Sequence, residues 1–280
     1  VIQEITGAET IDIVGLCLGG AMTAITAAYL TQQGDNRVGT LTLLNTMLDY
    51  SQPGALGNFT DEKTVEKLIK KMSRSGTLEG ASMAGTFDVL RANDLIFNYV
   101  VSNWLMGQDP PSFDILAWNA DSTRMPAAMH AFYLRNFYVR NRLSQGTMEI
   151  AGRIIDLSAI KSPTYVVSAI NDHIVLWEAA YKTTALVSGP VRFVLSSGGH
   201  IAGIVNPPNP KAWFLAHDDD NNPPESAEAW RESAQRKPGT WWEDWVRWSS
   251  ETAGEMIDSP PMGNDEHPVL GDAPGLYVRS

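Results

Sequence analysis

Ten residues constrain this chain more than any others: Ile11-Asp12-Ile13-Val14-Gly15-Leu16-Cys17-Leu18-Gly19-Gly20. The apolar run Ile11 to Val14 reads as a buried strand, and a helix-like run follows from about Ala21 to Gln33. Between them, Gly-x-Cys-x-Gly-Gly is the nucleophile elbow G-x-S-x-G with cysteine in place of serine. So tight a turn needs small neighbours, and Gly15, Gly19 and Gly20 meet that need. The helix points its N-terminus at the turn, which favours a thiolate. The backbone N–H of Leu18 is then expected to face an oxyanion. The competing reading is a packed structural cysteine, because free cysteine is among the most buried residue types. Cys17 is the only cysteine. That excludes an internal disulfide framework and suits a reducing compartment.

A second apolar run, Leu41 to Asn45, follows the helix after Gly34-Asp35-Asn36 breaks it. Strand, helix and strand at this spacing imply a βαβ unit and a parallel sheet. From Tyr50 to Ile150 strand signals fade. Asp61 to Met72 is expected to form an amphipathic helix with Lys63, Lys67, Lys70 and Lys71 on a solvated face. The large side chains that follow, from Phe97 to Tyr138, suggest a mainly helical cap that shapes access to a site. Three regions result: residues 1–49, core with the elbow; 50–150, cap; 151–280, core with a Trp-rich helix and a Pro/Gly-rich tail.

The third region carries the partners Cys17 needs. Thr164 to Ile170 is a β-branched strand, and Asn171-Asp172-His173 follows it directly. After a helix from Trp177 to about Val187 comes the strand Val191 to Leu195, which ends in Ser196-Ser197-Gly198-Gly199-His200. Asp172 and His200 thus each sit just past the C-terminal end of a strand, the edge where open α/β sheets bind ligands. The order nucleophile, acid, histidine is that of the α/β-hydrolase fold. The fold class expected is therefore α/β: an α/β-hydrolase fold with an inserted helical cap. Val1 stands about ten residues before the elbow strand. The expectation is a fragment that lacks early sheet strands and a second oxyanion donor. His173 is expected to point away from the site; His130, His217 and His267 have no companion signal. No metal-ligand spacing, P-loop or dinucleotide fingerprint is present. The net charge of −11 argues against nucleic acid, and no apolar run reaches the roughly 20 residues of a membrane helix. Trp241, Trp245 and Trp248 share one helix face, read as packing onto the core rather than as a surface for polymer or a partner.

Taken together, these residues resemble the polyhydroxyalkanoate synthases, especially the short-chain class I type. The resemblance rests on the elbow at Gly15 to Gly20, on Asp172-His173-Ile174-Val175 with Trp177 close behind, and on Ser197 to Pro208. It extends to the cap segments Asn93 to Val101 and Phe113 to Asp121, to Trp241 to Trp245 and to Ala273 to Val278. Leu176 departs from it, standing where a proline is usual. The resemblance implies polymerisation of (R)-3-hydroxyacyl-coenzyme A through an acyl thioester on Cys17, with Asp172 and His200 completing a triad. Trp118, Asn119, Asp121 and Trp177 become candidate substrate or cap residues. It implies no metal and no cofactor, coenzyme A being the leaving group of the substrate. Its partners are the growing polyester and its granule surface in the cytoplasm, a second copy in a homodimer, and other granule-associated proteins. His200, supported by Asp172, is the economical base for the attacking 3-hydroxyl; a more direct part for Asp172 stays open. Two rivals share the residues: a cysteine thioesterase or depolymerase on the same fold, and a non-catalytic granule protein.

Overall fold

The structure is a computed structural model that describes residues 1–90, 92–110, 123–205, 207–218 and 223–276, with the side chains of residues 94 and 95 left aside. Its centre is a six-stranded sheet. In chain order the strands are β1 (Ile11–Leu16), β2 (Val38–Leu44), β3 (Thr164–Ala169), β4 (Val191–Ser196), β5 (Trp213–Ala216) and β6 (Gln235–Pro238), and they lie side by side in that same order. β1 to β4 are parallel, and β5 and β6 each run antiparallel to the strand before.

β3, near the middle, is buried at all six positions, as a strand covered on both faces must be. One face packs against the helix after the elbow, α1 (Leu18–Gln32). Ala21, Ala24, Ala27 and Ala28 of α1 are fully buried, and side chains this small let the helix lie close to the sheet. That core continues through Leu41, Leu43, Val166, Phe193 and Leu195. The other face holds Leu44, Tyr165, Val167, Val194 and Phe214 under the Trp-rich helix (Trp241–Ser250).

Segment 50–150 contributes α2 (Glu62–Ser75), α3 (Gly80–Leu90), α4 (Ala127–Tyr133) and several shorter helical turns, joined by one two-residue ladder, Thr77–Leu78 with Met125–Pro126. Asp61 caps α2 by accepting from the Thr64 N–H at 3.0 Å, and Gly76 ends it at φ 77°. Val65 and Met72 face inward, while Lys63, Lys67, Lys70 and Lys71 are exposed, as their spacing suggests. Trp104 and Leu105, by contrast, are largely uncovered.

Three local expectations differ from the structure. The sheet is mixed, because Trp213–Ala216 and Gln235–Pro238 form an antiparallel pair that their sequences conceal. The first is only four residues long; the second is polar and ends in proline, as edge strands often do. The helix expected over Trp177 to Val187 divides into α5 (Trp177–Tyr181) and a turn at Thr183–Leu186. The helix near Ser226 to Arg236 stops at Ser233 as α6 (Ala227–Ser233), since β6 begins at Gln235. The Trp-rich helix, α7, turns its tryptophans to the sheet: Trp241 is buried, and Trp245 Nε1 donates to Thr42 Oγ1 at 2.9 Å. Packing onto the core is therefore what that face does.

Candidate active site

Cys17 stands between β1 and α1 with φ 53° and ψ −120°, a left-handed conformation that non-glycine residues rarely hold. The turn is secured on both sides. The Cys17 N–H donates to the Leu44 carbonyl at 2.8 Å, and the Cys17 carbonyl accepts from the Gly20 and Ala21 N–H groups. A Cβ on Gly15 would lie 2.6 Å from the Gly20 Cα, and one on Gly20 would lie 1.9 Å from Thr46 Oγ1. At Gly19 a Cβ would meet nothing within 4 Å. Crowding therefore requires glycine at positions 15 and 20 and not at 19, which corrects the expectation drawn for all three. Leu18 is the first residue of α1, and the N–H groups of a first turn have no acceptor within their own helix. A donor is thus available one residue after the sulfur.

Asp172 and His200, from separate loops, meet: His200 Nδ1 and Asp172 Oδ2 are 2.6 Å apart. The other carboxylate oxygen of Asp172 accepts from the Ile174 and Val175 N–H groups, at 2.8 and 3.0 Å. A carboxylate held at both oxygens cannot swing, so it fixes the imbidazole's orientation by fixing its own. The two loops are tied by the Asn171 N–H, which donates to the Gly198 carbonyl at 2.9 Å. Burial pulls the His200 imidazole toward neutrality, but its hydrogen bonds to Asp172 and Cys17 and their charges outweigh it and lift its pKa to about 9. His200 therefore binds a proton more tightly than a free imidazole does.

Within electrostatic reach of the sulfur, Tyr133 and Tyr138, from the aromatic run of the expected cap, pack with Tyr50, which the sequence did not single out. Tyr50, Tyr133 and Tyr138 pack edge to face with ring centroids 4.9 to 6.1 Å apart, and the Tyr50 and Tyr133 hydroxyls are 3.4 Å apart. Burial raises the pKa of all three, with a further push from the charge of Cys17, so they stay neutral phenols within electrostatic reach of the sulfur. Asn45 and Thr46, at the end of β2, were missed too. Asn45 Nδ2 donates to the His200 carbonyl, and Thr46 Oγ1 donates to the Cys17 carbonyl at 3.2 Å. Their position just past a strand on the same sheet edge was the available signal.

Other candidates fall elsewhere. Trp177, expected at the substrate, is buried in the core at 6% exposure and packs near Trp230, because it opens α5 on the inner side of the sheet. Trp118, Asn119 and Asp121 lie outside the described residues. His217 stacks on Trp230, His267 pairs with Glu4 at 2.7 Å, and His130 is buried beside Tyr133, each away from the Asp172–His200 pair.

A thiol at an elbow, an imidazole backed by a carboxylate and a backbone donor beside the sulfur make a site for acyl transfer. Residues 1–207 match the family of proteins with the alpha/beta hydrolase fold, and the chain belongs to that family. Proteins named as poly(3-hydroxyalkanoate) polymerases match the chain along nearly its whole length. The chain is 40% identical over 275 residues to the poly(3-hydroxyalkanoate) polymerase of Methylorubrum extorquens, covering 98% of this chain and 45% of that protein. It is 40% identical over 279 residues to the poly(3-hydroxyalkanoate) polymerase subunit PhaC of Rhizobium meliloti (100% and 45% covered). The corresponding subunit of Cupriavidus necator is 38% identical over 289 residues (100% and 48%). The chain spans about half the length of these relatives.

Proposed function

We propose that this chain carries the acyl-transfer centre of a poly(3-hydroxyalkanoate) polymerase, which joins (R)-3-hydroxyacyl units from coenzyme A thioesters into polyester. The observation that carries this reading is the Asp172–His200 pair, 2.6 Å apart and within electrostatic reach of Cys17. His200 takes the proton from Cys17 Sγ, and the thiolate attacks the carbonyl carbon of the thioester. The Leu18 N–H donates to the tetrahedral oxyanion. The carbon–sulfur bond to coenzyme A then breaks, and the leaving sulfur takes the proton back from His200. Thioester is exchanged for thioester, so the step needs little driving force. In the second half, the 3-hydroxyl of another unit gives its proton to His200 and attacks the acyl carbon on Cys17. An ester bond forms and the thiolate is released. Asp172 holds the imidazole in place and stabilises it when charged.

Water competes with the alcohol, and the packed rings of Tyr50, which is buried, and of Tyr133 and Tyr138, which are partly buried, limit its approach to the sulfur. No metal or cofactor takes part in this scheme; coenzyme A enters and leaves with the substrate. The surroundings proposed with it are the cytoplasm, the surface of a polyester granule with its associated proteins, and a homodimer. Among the described residues no helix is long and apolar enough to cross a membrane. The test is (R)-3-hydroxybutyryl-coenzyme A supplied to the wild type and to Cys17→Ala. Expected are release of coenzyme A and ester-linked product by the wild type alone. Free 3-hydroxy acid as sole product would mark a thioesterase, and equal release by both proteins would rule out Cys17 as acyl carrier.

A further inference from the structure

Cys17 and His200 leave the sheet from β1 and β4, with β2 and β3 between them. At about 4.8 Å per strand, those two strand ends stand roughly 14 Å apart. An imidazole that reaches the elbow must therefore sit on a loop that doubles back over β3 and β2. The structure holds that loop at two places. At β3, the Asn171 N–H donates to the Gly198 carbonyl at 2.9 Å. At β2, Asn45 Nδ2 donates to the carbonyl of His200 itself. The next residue, Thr46, donates to the Cys17 carbonyl at 3.2 Å, and Leu44 before it accepts from the Cys17 N–H at 2.8 Å. The end of β2 and the two residues after it thus grip the nucleophile and the base together.

Asn45 occupies that place at a cost in conformation. It is fully buried, its φ is +41°, and its Oδ1 has no partner among the described residues. Asparagine tolerates left-handed φ better than most residues, but an unpaired buried acceptor is unfavourable. Backbone outliers of this kind collect where geometry serves function. We propose that Asn45 is a positioning residue for acyl transfer: its side-chain amide sets where the His200 backbone lies, and thereby how the imbidazole meets Cys17. The inference rests on the Cys17–His200 reading above.

Two variants separate the amide from the fold. Asn45→Gly keeps the left-handed φ and removes the amide; Asn45→Asp keeps its shape and turns the donor into an acceptor. The measurement is the rate of Cys17 alkylation by iodoacetamide between about pH 6 and pH 10, with circular dichroism confirming the folded state. In the wild type the profile should carry a step at about 9, where His200 titrates. In Asn45→Gly the step should move toward the ordinary imidazole value of about 6.5, whereas the added carboxylate of Asn45→Asp holds it up; in both variants alkylation at neutral pH should slow roughly ten- to a hundredfold. Added to His200→Gln, Asn45→Gly should change nothing further. A folded Asn45→Gly with the step unmoved, a folded Asn45→Asp with wild-type alkylation, or equal slowing in the His200→Gln background, overturns the proposal. So does failure of both variants to fold, which would make Asn45 a residue of the fold alone. Identical profiles for the wild type and His200→Gln would instead overturn the Cys17–His200 reading itself.

Discussion

At Gly20 a single methyl group has no room: its carbon would lie 1.9 Å from Thr46 Oγ1. Gly20→Ala and Gly15→Ala are expected to cost about 1–3 kcal/mol each by overpacking. Gly19→Ala should leave the stability within about 0.5 kcal/mol of the wild type. Thermal melts of the three variants check this, and a Gly19→Ala as damaging as Gly20→Ala would refute the steric account. The contrast also marks what a sequence can carry. Cys17, Asp172 and His200 are legible because each lies in a local pattern, a strand followed by a loop with a reactive side chain. Asn45 lies in such a pattern too, but its amide acquires meaning only against a carbonyl 155 positions away. The reverse held at Trp177, whose place in a motif suggested substrate while its burial assigns it to the core.

Helix α7 is held to the sheet by more than its tryptophans. Arg192 of β4 meets Asp244 through two nitrogens at 2.6 and 2.7 Å, and the Tyr165 hydroxyl donates to the same carboxylate at 3.1 Å. Burial pushes the Asp244 carboxyl up, but Arg192 outweighs it and holds the pKa below the ordinary range. The stabilisation is therefore present above about pH 4 and lost as pH falls through that lowered value. Removing one member of a buried pair costs about 3–5 kcal/mol, so Asp244→Ala should unfold at markedly lower urea. Arg192 lies at the start of β4 and His200 beyond its end. In native buffer the variant should thus keep wild-type alkylation of Cys17, and a large change there would contradict this separation. Among elements, the long apolar or β-branched strands were legible in the sequence. β5 and β6 were not, because short or polar edge strands are defined by the neighbours they pair with.

For the molecule as a whole, stability should follow the state of its most perturbed histidine. The His200 pKa is raised, so the stability it adds is fully present below about pH 6.5 and lost as pH rises through about 9. The difference in thermal midpoint between the wild type and His200→Gln should therefore shrink across that interval; a difference that grows would show the sign to be wrong. The layered plan was legible from the first strand–turn–helix onward. How the two faces of the sheet divide their cover was not, since α1 and α7 reach opposite sides only through the path of the whole chain. The carboxylate of Asp172 has a consequence at this scale as well. One of its oxygens accepts from two backbone N–H groups and the other meets the imidazole, so each of these contacts steadies His200 as the proton carrier. On the polymerase reading proposed above, loading and growth share His200 as their proton carrier and must alternate. Each added monomer would then close a full proton cycle before the next began, and chain length would be decided by a race, renewed every turn, between alcohol and water for the same acyl group.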